Sequence, residues 1–144
     1  MWYNKLMEKK SNLLIVEDSP MDMFLVRDAF TRAGAGWEIT GVNNGEKAMK
    51  ALLRQEEYSG LPPQDIVIID LKIPRLSGFE VMEQIKTSGN LKNIVIIVLT
   101  SSLSETDRNE SMKYSPDGYF VKPSDINGYD EMISQIISIS KKPK

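Results

Sequence analysis

The 144-residue sequence contains no cysteine and no histidine. The first absence excludes disulfides, thiolate metal sites and a cysteine nucleophile, and the second removes the commonest general base and zinc ligand. Any catalysis or metal binding must therefore use carboxylates, hydroxyls, lysine and backbone oxygens. An excess of charge is also lacking: 18 Lys plus Arg stand against 20 Asp plus Glu, a net charge of -2. Nothing in that balance draws the whole molecule to nucleic acid. No apolar run approaches membrane-spanning length, and the opening ten residues, from Met1 and Trp2 to Lys10, lack the apolar segment of a secretory signal. The expectation is a cytoplasmic protein with neither membrane nor nucleic acid as partner. With 41% hydrophobic and 26% charged residues, the chain suffices for one core, so residues 1–144 read as a single domain.

What is present is a set of short apolar runs, each ending on a chemically sharp residue. Leu13-Leu14-Ile15-Val16 runs into Glu17-Asp18, Ile66-Val67-Ile68-Ile69 into Asp70, and Ile94-Val95-Ile96-Ile97-Val98-Leu99 into Thr100. As parallel buried strands, they would place all three endings along one edge of a sheet. Between them the pattern switches to helical spacing. Ser19-Pro20-Met21-Asp22 reads as a helix start, with Leu25, Val26, Ala29 and Phe30 on its buried face and Gly34 as its stop. Trp37, Ile39 and Gly41 alternate with polar neighbours as an edge strand, Asn43-Asn44-Gly45 turns, and Ala48, Met49, Leu52 and Leu53 form a second helical face. A loop from Ser59 to Gln64 leads to the third strand, and the loop Ile73 to Gly78 leads to a helix with Val81, Met82 and Ile85 inward.

Ser104-Glu105-Thr106-Asp107 resembles a capped helix start, but Met112 is almost the sole apolar residue before Tyr114, so this fourth helix should be the least firmly packed. Tyr119-Phe120-Val121 is a short fifth strand. The last helix carries Tyr129, Met132, Ile133, Ile136 and Ile137 at helical spacing, and the Lys141 to Lys144 tail is expected to fray. Five strands alternating with five helices imply βα units and a parallel sheet. Glu17, Asp18 and Asp70 would then crowd three negative charges together, tolerable only beside a cation or a basic side chain. Hard oxygen donors without His or Cys favour Mg²⁺. Lys122 would reach the same edge as a point charge suited to phosphate, and Thr100 would add a hydroxyl. The set describes a phosphoryl-transfer site with Asp70 as nucleophile.

Over roughly residues 12 to 140 the chain resembles the response regulator receiver domain of two-component signalling. The residues that carry the likeness are Ile15-Val16-Glu17-Asp18-Ser19-Pro20, Ile68-Ile69-Asp70-Leu71-Lys72-Ile73-Pro74, Gly78, Val98-Leu99-Thr100-Ser101-Ser102 and Gly118-Tyr119-Phe120-Val121-Lys122-Pro123. The Glu-Asp-Ser-Pro start, the long loop before the third strand and Leu-Thr-Ser-Ser look most like the small stand-alone receivers paired with bacterial phytochrome-type histidine kinases. The resemblance implies a doubly wound, flavodoxin-like fold with strand order 2-1-3-4-5. It also implies that Asp70 accepts a phosphoryl group from a kinase phosphohistidine, and that Glu17, Asp18, Asp70 and the Lys72 backbone carbonyl hold Mg²⁺. By the same resemblance Thr100 and Tyr119 are the switch residues, Lys72 and Ser102 flank the site where dephosphorylation is tuned, and Lys122-Pro123 is a cis peptide. The surface of the fourth helix, fifth strand and fifth helix would change its partner preference on phosphorylation.

Each residue taken singly has an ordinary explanation: Asp18 and Asp70 as loop acids or caps, Thr100 as a strand-end hydroxyl, Lys122 as a surface charge, Tyr119 as a strand aromatic, Gly78 as a helix opener. Their joint, ordered occurrence is what favours the phosphoacceptor. A phosphorylation-independent binding module is the alternative. A flavodoxin-like cofactor binder would need a phosphate-cradling loop where acidic Glu17-Asp18 stands. A fold ending near residue 140 leaves no room for an output domain, so the expected partners are a sensor histidine kinase, a separate downstream protein target and a second copy of the chain. Trp2 and Tyr3 could cover an apolar surface, join a partner or be disordered.

Overall fold

A computed structural model describes residues 10–142. The expectations for Trp2, Tyr3 and the last two residues of the tail lie outside the described residues. The elements are β1 (Ser11–Val16), α1 (Pro20–Ala33), β2 (Trp37–Val42), α2 (Gly45–Leu53), a single 3₁₀ turn (Glu56–Tyr58), β3 (Ile66–Ile69), α3 (Gly78–Thr87), β4 (Val95–Thr100), α4 (Glu105–Met112), β5 (Gly118–Val121) and α5 (Ile126–Ser140). The five strands form one sheet in the order β2-β1-β3-β4-β5, every pairing parallel. This is the doubly wound, flavodoxin-like architecture expected from the sequence.

Strand alternation divides the interior in two. Leu14, Val16, Val67, Ile69, Ile96 and Val98 face Ala48, Ala51 and Leu52 of α2 and Val81, Met82 and Ile85 of α3. The intervening Leu13, Ile15, Ile66, Ile68, Ile97 and Leu99 face Val26, Ala29 and Phe30 of α1 and Tyr129, Met132, Ile133 and Ile136 of α5. Both faces of the central strands are thus buried, which is why they read as continuous apolar runs instead of alternating ones.

Each helix opens on a side chain that accepts from its first turn: Ser19 from Asp22 N, Asn44 from Lys47 N, Ser77 from Glu80 N, Ser104 from Asp107 N and Asp125 from Gly128 N. Such caps contribute about 1 kcal/mol each by satisfying amides that have no partner within the helix. They also fix where each helix begins relative to the strand before it.

Two positions differ from the sequence reading. Leu53, expected on the helical face of α2 with Ala48, Met49 and Leu52, is exposed. Leu25, expected on the buried face of α1, is half-buried, and Phe24 beside it is exposed. In α4 the buried residue is Ser111, its hydroxyl donating to Asp107 O at 2.9 Å, while Met112 faces solvent. The thin packing expected for α4 therefore stands. No helix among the described residues is long and apolar enough to cross a membrane.

Candidate functional site

The register sets the strand ends side by side: Val16 lies opposite both Val42 and Ile69, and Ile69 opposite Val98. β1 and β3 are neighbours, yet the chain leaves β1 toward β2 on one side and returns through β3 on the other. The crevice between these two carboxyl ends is the place where a doubly wound sheet presents ligand-binding side chains. Hydrogen bonds extend the ladder past the last strand residues, with Glu17 N donating to Val42 O at 3.0 Å, Asp70 N to Val16 O at 3.2 Å and Lys122 N to Thr100 O at 2.8 Å. The backbone of each of these three site residues is thereby held by the sheet itself.

Carboxylate oxygens of Glu17, Asp18 and Asp70 all lie within 4.8 Å of one another, Glu17 and Asp70 buried and Asp18 exposed. Lys122 Nζ stands among the acids, 2.8 Å from Glu17 Oε1, 2.8 Å from Asp70 Oδ2 and 2.7 Å from Asp22 Oδ2. The second oxygens have backbone donors: Ser19 N donates to Glu17 Oε2 at 3.0 Å, and Lys72 N to Asp70 Oδ1 at 3.4 Å. Burial pushes the Glu17 carboxyl above the usual carboxylate range, and its bonds to Lys122 and Ser19 N only partly offset that. Burial alone would weaken protonation of Lys122, but its bonds to Asp22, Asp70 and Glu17 more than reverse it, so the ammonium is held in its charged form.

Gly78 allows the crevice to form. A Cβ there would lie 2.4 Å from Asp70 O and 2.8 Å from Leu71 Cα, so α3 approaches the Asp70 backbone at a distance only glycine permits. Its own N–H donates to Leu71 O at 2.9 Å. The role is thus closer than the helix-opening one that the sequence suggested.

Thr100 is fully buried at the end of β4, and its Oγ1 accepts from Ser102 N at 3.1 Å. Tyr119 lies on β5 with its ring packed against the α2 and α3 side of the core and under the Arg108 guanidinium, 5.0 Å from the ring centroid. Its hydroxyl is enclosed and has no hydrogen-bond partner among the described residues. The side chain of Lys72 turns toward α4, its Nζ 3.7 Å from Asp107 Oδ2, and Ser102 Oγ donates to that same oxygen at 2.6 Å. One expectation is overturned: no peptide bond among the described residues is cis, so Lys122-Pro123 is trans. The ladder bond from Lys122 N to Thr100 O, together with the three carboxylates, positions the lysine without it.

Two residues of the site escaped the sequence reading. The sequence pattern makes Asp22 a first-turn acid of α1 and Asp107 part of a cap. Both sit one turn into a helix that starts directly beyond a strand end, which brings first-turn side chains back over the sheet edge. That offset was the available signal.

The residues suit a divalent cation. Three carboxylates pair with one ammonium and a fourth, Asp18, lies beside two of them, leaving an excess of negative charge; the donors are hard oxygens, and the exposed Asp18 opens the cluster to solvent. A buried acid cluster of this kind is costly unless neutralised.

Comparison with known proteins agrees with this geometry. The response regulator receiver domain pattern matches residues 13–134. Response regulator Rcp1 of Synechocystis sp. is 32% identical over 126 residues, 88% of this chain and 86% of the relative. Among solved structures, the phosphorylated cyanobacterial phytochrome response regulator RcpA superposes with a TM-score of 0.82 at 28% identity, covering 88% of this chain and 91% of that one. The Mn²⁺-bound form of Rcp1 superposes with a TM-score of 0.81 at 31% identity, covering 89% and 92%. Sheet order, the acids at the β1 and β3 ends and the lysine beyond β5 thus coincide with a sequence match spanning nearly the whole chain, which belongs to the response regulator receiver domain family.

Proposed function

We propose that Asp70 is a phosphoacceptor, loaded by the phosphohistidine of a sensor histidine kinase. The observation that carries the reading is a buried Asp70 carboxylate bonded to Lys122 at 2.8 Å within the Glu17 and Asp18 cluster. In the reaction an Asp70 oxygen attacks phosphorus, the P–N bond breaks with its electron pair passing to the imidazole, and an acyl phosphate forms. Glu17, Asp18, Asp70 and the Lys72 carbonyl would hold Mg²⁺. When bound, that ion supplies positive charge to offset the phosphoryl oxygens and the acids that crowd them. Lys122 contributes a fixed ammonium on the other side, and burial of Glu17 and Asp70 strengthens each of these attractions.

The signal would leave through Thr100 and Tyr119. A phosphoryl group brings about two negative charges at pH 7. Thr100, whose Oγ1 accepts from Ser102 N, would turn its O–H to donate to a phosphoryl oxygen, and Tyr119, whose hydroxyl is enclosed but unpartnered among the described residues, would take a second position. The surface of α4, β5 and α5 exposes Met112, Val121 and Ile126, and Leu103 beside it is also exposed. These apolar groups support output through a separate protein target and a homodimer formed on that face. The phytochrome response regulators among its relatives favour a phytochrome-type kinase, and a cytoplasmic location accompanies that partner.

The test is incubation with acetyl phosphate and Mg²⁺ followed by intact-mass measurement. One phosphoryl group should be gained by the native chain and none by Asp70→Asn. Equal modification of the two, or none of the native chain, defeats the phosphoacceptor reading and leaves the phosphorylation-independent binding module.

A further inference from the structure

Gly45, the first residue of α2, touches the loop that leads away from Asp70. Its φ is negative, so other residues could adopt its backbone conformation, and what glycine supplies here is room. A Cβ at this position would overlap the Leu76 carbonyl oxygen and lie 2.6 Å from Leu76 Cβ and 2.7 Å from Leu76 C. Two of these atoms are backbone, so turning a side chain cannot relieve the clash.

Two further ties join the same helical turn to the same loop. Gly45 N donates to Pro74 O at 3.2 Å, and Glu46 pairs with Arg75 at 3.5 Å. Arg75 is held at a φ of 75°, which a residue other than glycine takes up only where its surroundings impose it. Which side would yield to an added Cβ follows from how each is anchored. α2 is capped by Asn44, whose Oδ1 accepts from Lys47 N at 2.8 Å, and it buries Ala48, Ala51 and Leu52 in the core. The segment from Lys72 to Ser77 belongs to no helix or strand. Its two ends are joined by the bond from Gly78 N to Leu71 O at 2.9 Å, and Gly78 is wedged against the Asp70 carbonyl. A push at Leu76 therefore travels back along the segment to Lys72 or forward through Gly78 to Asp70, and either route ends at the site.

We propose that Gly45 is a positioning residue for the loop between β3 and α3: the bare Cα on the first turn of α2 fixes where that loop lies, and so where the Lys72 carbonyl stands relative to Asp18 and Asp70. The inference deepens the reading in which that carbonyl and the acids hold Mg²⁺, and it rests on it.

The test is an NMR titration of the full, isotope-labelled chain with Mg²⁺, which reports folding and affinity together. Gly45→Ala should bind Mg²⁺ at least about tenfold more weakly, the lower end for loss of a group that orients a metal ligand. Gly118→Ala, at the amino end of β5, would press its Cβ on the side chains of Ile97, Phe120 and Ile139 and should bind Mg²⁺ like the native chain. A merely structural role for Gly45 lowers melting temperature and leaves the affinity of the folded protein alone. Should Gly45→Ala fail to fold, the native chain decides: the Gly45 amide, which reports the bond to Pro74 O, should shift along the Mg²⁺ binding curve while that of Ala51, further along α2, stays. A weakening below about tenfold in folded Gly45→Ala, equal weakening in Gly118→Ala, or an unmoved Gly45 resonance overturns the inference while leaving the Mg²⁺ site. Absence of Mg²⁺ binding by the native chain overturns both.

Discussion

At the scale of single residues, Lys122 is, among the described residues, the sole ammonium bonded to the acids at the ends of β1 and β3. Lys122→Ala leaves Glu17 and Asp70 buried without it, so unfolding in urea at neutral pH should show a loss of about 3 kcal/mol, the range for breaking a buried pair from one side. The pH dependence has a definite sign. Burial already raises the Glu17 carboxyl and Lys122 lowers it, so the variant should raise it further. An acid whose folded pKa lies above its unfolded value loses stability as pH rises through the interval, so the deficit of Lys122→Ala should grow with rising pH and shrink in mild acid. Gly78→Ala tests the close approach at Asp70 O. Alanine is the better helix former by up to about 1 kcal/mol, but a Cβ at 2.4 Å from a backbone oxygen forces a shift, and overpacking of about 1–3 kcal/mol should win. A destabilised variant with slowed phosphoryl uptake is the expected result, and a variant of native or higher melting temperature would contradict it. Glu17, Asp18, Asp70, Thr100 and Lys122 were legible in the sequence because each lies at, or within two residues of, the carboxyl end of an apolar strand. Asp22 was not, because only the direction in which α1 leaves the sheet edge turns a helix acid into a partner of Lys122.

At the scale of elements, α4 is the thinly attached helix. Its buried member is a serine, and its ties to the rest of the molecule include the Asp107 contacts with Ser102 and Lys72 and the stacking of Arg108 on Tyr119. Few apolar contacts and exposed backbone are the physical content of low local stability. Amide hydrogen exchange should therefore be faster in α4 than in α1, α3 or α5, and Asp107→Ala should accelerate it further while leaving α3 unchanged. Equal protection of α4 and α5 would refute this. The helix start was readable from Ser104 and Asp107, since a cap is a local signal. Which residue would be buried was not, because with so few apolar residues the helical period names faces without saying which one turns inward. Met112 is the more apolar of the neighbouring pair and is exposed, whereas Ser111 fits against the protein by satisfying its hydroxyl on the preceding turn.

At the scale of the whole molecule, the acid cluster is an opposing charge that folding must bring together, so a divalent ion should act as a stabilising ligand. Mg²⁺ at about a hundredfold its dissociation constant stabilises by about 2.7 kcal/mol. For a chain of this length that corresponds to a melting-temperature rise of about 8 °C. Calorimetry with Mg²⁺ and with chelator should show that difference, and Asp18→Asn should lose most of it. An unchanged melting temperature would mean that Lys122 alone neutralises the cluster. Strand order and the two-layered core were readable because buried parallel strands announce themselves as apolar runs, and the alternation of strand and helix leaves few topologies open. One further consequence follows from the way β1 serves both cores, with Leu13 and Ile15 facing one side and Leu14 and Val16 the other. Inserting a single residue into that strand would exchange the two sides at once, so a one-residue insertion in β1 should unfold the protein where one in a connecting loop should not. The spacing between Glu17 and Asp70 is consequently insured by hydrophobic matching, and drift in loop length leaves the chemistry in alignment.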